Sequence, residues 1–145
     1  MLNKVIRSYY FLSLISGLII GLAYLPFKLG FLSYIGFIPI FHTWINNNHS
    51  KNGKFGFIFG LTYNLISNYW IGYNSGTVVS VAVFSLLLTV FYLALFWYIL
   101  GFIIGILKDK INFFVFLPFL IVSLEWIRSL GPLGYSWGNL ALTQT

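Results

Sequence analysis

The amino-acid sequence predicts an all-α membrane protein, a bundle of about five transmembrane helices. Three observations carry that prediction. Hydrophobic residues make up 59% of the chain and charged residues 7%, whereas a soluble domain has about 25% charged residues to cover its surface. No charged residue occurs from Phe55 through Leu107. Apolar runs recur along the chain, separated by short polar or basic stretches. The formal net charge of +6 is then read as basic flanks that orient membrane spans, so no nucleic-acid partner is expected. The chain has no cysteine, which removes disulfides, thiolate metal sites and a thiol nucleophile from these residues.

The first span is read over 8–24, after Lys4 and Arg7. A basic start before an apolar run also describes a signal peptide. The retained span is favoured, because no small-residue cleavage site follows and Pro26, Phe27 and Lys28 come next. The second span, 31–45, is short and broken by Gly36 and Pro39, which predicts a tilt, a kink or partial insertion. The third covers 55–71. The fourth, 77–107, reaches ~46 Å at ~1.5 Å per residue, beyond a ~30 Å hydrocarbon core, so it should tilt or protrude. The fifth covers 113–129, and 130–145 is read as an outer-face segment. If these spans alternate, Lys4, Arg7, Lys51, Lys54, Lys108 and Lys110 share one side. Lys28 and Arg128 take the other. The positive-inside bias puts the amino terminus in the cytoplasm and the carboxy-terminal segment outside.

Polar residues within the spans are the candidate functional positions. Asn64 and Asn68 lie four apart, and buried amides want partners. Interhelical hydrogen bonding is the favoured reading, and lining a lipid-headgroup cavity is the other. Gly17/Gly21, Gly56/Gly60 and Gly101/Gly105 permit close helix approach, read as packing within one bundle before a homodimer seam. His42 stands alone near the end of its span, which favours a hydrogen-bonded or interfacial histidine over a metal ligand. No metal or cofactor is expected. His49 is assigned no role.

Glu125 and Arg128 are three apart, where an acid and a base on one helical face can pair. Two readings stay open: an ion pair at the membrane boundary, with Arg128 snorkelling outward, or a pair that also shapes a site for polar headgroups. Glu125 is expected to lie deeper, and its removal to cost more. Trp126, Tyr135 and Trp137 are read as a boundary belt before substrate contacts.

The end of the chain resembles the corresponding stretch of bacterial apolipoprotein N-acyltransferases. Glu125-Trp126-Ile127-Arg128 is similar to that family's helix end. Gly134, Tyr135, Trp137, Asn139, Leu140 and Gln144 fit the stretch that follows, with Ser136 where the family commonly has Pro. Leu22-Ala23-Tyr24-Leu25-Pro26-Phe27, Gly36-Phe37-Ile38-Pro39 and Asn68-Tyr69-Trp70-Ile71 resemble earlier family segments in the same order. The resemblance implies a bacterial inner-membrane location. It also implies a phospholipid acyl donor, typically phosphatidylethanolamine, and a lipoprotein acceptor with an amino-terminal diacylglyceryl-cysteine. The family's chemistry runs through a thioester on the cysteine of a Glu-Lys-Cys triad in a nitrilase-like domain. Residues 1–145 match only the membrane domain, so no catalytic residue carries over. A fragment or truncated relative without acyl transfer of its own is expected. The alternatives are a non-catalytic membrane scaffold or transporter fragment, or the membrane domain of a polyprenol-phosphate mannosyltransferase system.

Overall fold

The computed structural model describes residues 2–24, 29–47, 51–110 and 112–144, with side chains from Ser8 onward except those of Ala141 and Gln144. Residues 25–28 of the first linker, His49, and the side chains of Lys4 and Arg7 lie outside the described residues. The described elements are all helical: α1 (Leu2–Leu22), α2 (Leu32–Gly36), α3 (Ile38–Asn46), α4 (Asn52–Ser67), α5 (Val79–Leu107) and α6 (Phe113–Arg128), with 3-10 turns at Tyr69–Tyr73 and Leu140–Gln144.

Helix α4 is the hub, packed between α1 and α5. Phe55, Phe59 and Tyr63 recur every fourth residue along it and are fully buried, as a single helical face requires. Trp97 of α5 meets this stripe edge-on, its ring 4.7 Å from Phe59 and 5.9 Å from Tyr63. Glycine allows the approach. A Cβ at Gly56 would strike the Trp97 carbonyl, and one at Gly60 would come within 3.0 Å of the Ala94 Cα. On the other side, a Cβ at Gly17 of α1 would lie 2.8 Å from the Phe59 carbonyl. These glycine pairs therefore seat helices within one chain, as favoured from the sequence.

Between α2 and α3 the helix breaks at Phe37, because Pro39 enters the first turn of α3 without an N–H to donate back. The Gly36 carbonyl left free at the break accepts from the buried Ser16 hydroxyl of α1. At the opposite end of α3, Trp44 Nε1 donates to the Asn52 carbonyl (3.2 Å) and Asn52 Nδ2 donates back to the Trp44 carbonyl (2.9 Å). Lys108 Nζ caps the same terminus, donating to the carbonyls of Ile45 (3.0 Å) and Asn47, where a cation offsets the helix dipole. His42 is hydrogen-bonded, its Nδ1 3.1 Å from Asn46 Nδ2.

The helix lengths do not confirm the five-span expectation. Among the described residues, one helix, Val79–Leu107, is long and apolar enough to cross a membrane, and Ser8–Leu22 is apolar but shorter. The 31–45 run is two helices rather than one. The 55–71 run leaves α-helix at Ser67, where Asn68 turns its amide back onto the Asn64 carbonyl (3.0 Å). At ~1.5 Å per residue α4 and α6 each extend ~24 Å. Only 22% of the most apolar stretch of α5 is buried, and Phe84, Leu87, Phe91, Leu95 and Phe102 are exposed along it. A core helix of a water-soluble domain would hide these side chains.

Gly56→Ala should lower stability by about 1–3 kcal/mol, the usual cost of overpacking a tight contact. Thermal unfolding followed by circular dichroism in detergent measures it, and an unchanged midpoint would show that α4 and α5 can part without penalty.

Candidate functional site

The candidate site forms where the ends of α1, α4 and α6 meet the segment 130–144. Helix α6 stops at Arg128, and the chain reverses through Gly131, whose φ of +78° suits glycine. The Tyr135 N–H then donates to the Arg128 carbonyl (2.9 Å), so the segment doubles back over the helix end. A second left-handed residue, Gly138 (φ +78°), turns it inward.

Side chains at or just beyond the ends of three helices grip the returning segment. Tyr24 Oη donates to the Gly138 carbonyl (2.8 Å), and Tyr63 Oη donates to the same oxygen. The two hydroxyls are 2.8 Å apart. Arg128 Nη2 donates to Asn139 Oδ1 (2.6 Å), and Glu125 Oε1 accepts from the Leu140 N–H (2.8 Å). Tyr135 Oη donates to Asn68 Oδ1 (2.6 Å). Burial pushes the Tyr135 hydroxyl pKa up, partly offset by the nearby Arg128 charge, so the phenol stays protonated and able to donate.

Most residues singled out from the sequence thus converge, with changed roles. No ion pair joins Glu125 to Arg128 among the described residues; each is bound to the returning segment instead. Arg128 is 1% exposed while Glu125 is only half-buried, so the basic residue is the more enclosed by the protein. The reason is tertiary: the segment folds over the Arg128 side of α6. Arg128 Nε and Nη1 have no hydrogen-bond partner among the described residues, and neither has Asn64 Oδ1. Asn64 Nδ2 bonds within its own helix, to Gly60 (2.7 Å), and Asn68 reaches the returning segment rather than a neighbouring helix. Tyr135 points inward, away from a boundary belt. Trp126 is exposed, and Trp137 packs edge-on against Trp70, 5.7 Å between rings. Gln144 belongs to the last 3-10 turn by its backbone.

Tyr24 and Tyr63 were not among the sequence candidates. Tyr24 stood within a family-like motif without being singled out, and the only signal for Tyr63 was a hydroxyl inside an apolar run, which is too common to mark a site. Beside the site lies an open apolar cleft of roughly 410 Å³, walled by Tyr34, Phe37, Leu117 and Ile121 and by Leu140 and Thr143 of the returning segment. Among the described residues no three His, Asp or Glu side chains gather as a metal site would require.

Residues 16–145 match the family described as the Apolipoprotein N-acyltransferase N-terminal domain. The chain belongs to this family. Two curated relatives carry the name apolipoprotein N-acyltransferase. The one from Geobacter metallireducens is 28% identical over 95% of this chain and 27% of its own length. The one from Methylococcus capsulatus is 28% identical over 92% of this chain and 28% of its own. The chain therefore spans little more than a quarter of these relatives. Within the N-acyltransferase amino-terminal domain, the site is a hydrogen-bonded closure of one end of the helices. It offers anchoring donors and acceptors and an adjoining apolar cleft.

Because Arg128 is the more deeply buried of the two charges, Arg128→Ala should destabilise the chain more than Glu125→Ala. Removing Arg128 strands the Asn139 acceptor and leaves a cavity, at about 2–3 kcal/mol. Glu125→Ala should cost about 1 kcal/mol. Chemical denaturation of both variants decides the order, and a larger loss for Glu125→Ala would contradict it.

Proposed function

We propose that this chain is the amino-terminal membrane domain of an apolipoprotein N-acyltransferase and serves lipoprotein maturation. The observation that carries the reading is the family match over residues 16–145. In this reading the domain lies in the bacterial inner membrane and presents a lipid-accessible surface. By the family resemblance, a nitrilase-like domain supplies the catalytic groups. The acyl donor is a phospholipid and the acceptor a lipoprotein amino terminus.

The exposed apolar surface of α5 and α6 supports the membrane assignment: Phe114, Phe119, Val122 and Trp126 of α6 are exposed as well, a distribution suited to lipid. Alternating spans over α1, the α2–α3 pair, α4, α5 and α6 would place the basic residues near Lys51 and Lys108 in the cytoplasm. The site around Arg128 then faces outward. The broken α2–α3 pair and the short α4 fit a thinned or tilted arrangement, since mismatch costs only fractions of a kcal/mol per ångström. Among the described residues, the hydrogen-bonding groups of Glu125, Tyr24 and Tyr63 at the outer end are engaged within the chain. Glu125 is engaged by Leu140, and the hydroxyls of Tyr24 and Tyr63 are spent on Gly138.

Single cysteines placed at Ser75 and Ser136 in membrane vesicles should react with an impermeant maleimide from the outer side, and one at Asn112 should not. The reverse pattern would overturn the orientation. The purified chain, given phosphatidylethanolamine and a diacylated lipopeptide, should yield no triacylated product and no acyl adduct. A covalent acyl adduct on the polypeptide would show a nucleophile within these residues.

A further inference from the structure

Building on the membrane assignment above, we propose that Tyr69, Trp70, Tyr73, Leu133 and Trp137 form an aromatic platform that rests in the headgroup layer of the outer leaflet. The platform holds the Arg128 closure at the level of the lipid headgroups.

Two separate stretches of chain build it. One is the 3-10 turn Tyr69–Tyr73 beyond α4. The other is the returning segment from Gly131 to Trp137. Tyr135 Oη joins them by donating to Asn68 Oδ1 (2.6 Å), and the Trp70 and Trp137 rings meet edge-on. Tyr69 and Tyr73 meet in the same way, 6.1 Å between rings. Both stretches are seated on α5. A Cβ at Gly72 would come 3.2 Å from the Leu86 side chain, and Tyr92 Oη donates to the Leu133 carbonyl (3.3 Å). The outward side chains stay uncovered: Tyr69, Trp70, Leu133 and Trp137 are exposed, and Tyr73 is 83% exposed. Neither stretch contains a charged residue. Trp and Tyr join an apolar ring to a polar edge, the combination that concentrates where hydrocarbon meets headgroups.

A length measured along α5 gives the same depth independently. Lys108 is the first charge after α5 and is tied to the carbonyls of Ile45 and Asn47, so it marks the inner edge of the hydrocarbon. Counting back from it at ~1.5 Å per residue, a ~30 Å core ends near Leu88. The platform touches α5 at Leu86 and Tyr92, on either side of that level. Tyr135 lies between Leu133 and Trp137, and its N–H donates to the Arg128 carbonyl. The end of α6 is thereby fixed directly behind the platform.

The chain has no cysteine, so single cysteines carrying a nitroxide label read depth one position at a time. The full chain is placed in vesicles of phosphatidylethanolamine and phosphatidylglycerol. Collisions of each label with dissolved oxygen and with a water-soluble nickel chelate are then compared. Ile99→Cys is the deep reference, exposed on α5 and ~14 Å along the helix from Lys108. It should meet oxygen and be shielded from nickel. Tyr73→Cys and Trp137→Cys should read ~15 Å shallower than Ile99→Cys and within ~5 Å of the hydrocarbon edge, about one headgroup layer. Circular dichroism checks that each variant retains its helices. With Ile99→Cys deep, either platform label in bulk water, or as deep as Ile99→Cys, would overturn the platform and leave the membrane assignment standing. Nickel access at Ile99→Cys equal to that at Tyr73→Cys would overturn the membrane assignment itself. Should Trp137→Cys not fold, Leu133→Cys takes its place at the same expected depth, since Leu133 is exposed on the same stretch.

Discussion

The close approach of α4 and α5 at Gly56 and Gly60 is the contact on which the other packing depends. With backbone against backbone, Trp97 fits edge-on between Phe59 and Tyr63. The opposite face of α4 is then free to take α1 at Gly17. Small residues at a helix seam give up side-chain burial in exchange for many close contacts. Tyr63 gains its position this way. Packed under Trp97, it delivers its hydroxyl to the end of the bundle, where it meets Tyr24 and the Gly138 carbonyl.

The two ends of the bundle solve the same problem with different chemistry. Helix ends leave carbonyls and N–H groups without intrahelical partners. At one end Lys108, Asn52 and Trp44 satisfy the terminus of α3 and the start of α4. At the other, the chain supplies its own cover: residues 130–144 fold back and are held by Tyr24, Tyr63, Asn68, Glu125 and Arg128. The first closure is made around backbone carbonyls packed in the core. The second is made largely by side chains reaching a returning segment, and it borders an open cleft.

In the proposed function, that asymmetry suits a domain whose catalytic groups lie outside these residues. A polar closure beside an apolar recess is present at one of the two ends. The Arg128 end provides both, while the broad exposed faces of α5 and α6 carry little but hydrocarbon.

Hydrophobic patterning by itself determined that the chain is helical, that α5 is its longest apolar element, and that the α2–α3 run must break near Pro39. These are local consequences of hydropathy and of a residue without an N–H, and they survive any tertiary arrangement. The ordered motifs from Leu22 to Gln144 likewise disclosed the family, and Glu125, Arg128, Trp126, Tyr135, Trp137, Asn139, Gln144, Asn64 and Asn68 were the candidate positions. What each of them bonds was decided only by tertiary structure. An i, i+3 spacing permits the Glu125–Arg128 pair but cannot weigh it against a segment that returns from ten or more residues away. Nor could spacing show that Arg128 is the buried member, or that Tyr24 and Tyr63 converge on Gly138. Helix ends follow the same rule: α4 stops where Asn64 and Asn68 find backbone partners, a choice made by hydrogen bonding and invisible to hydropathy.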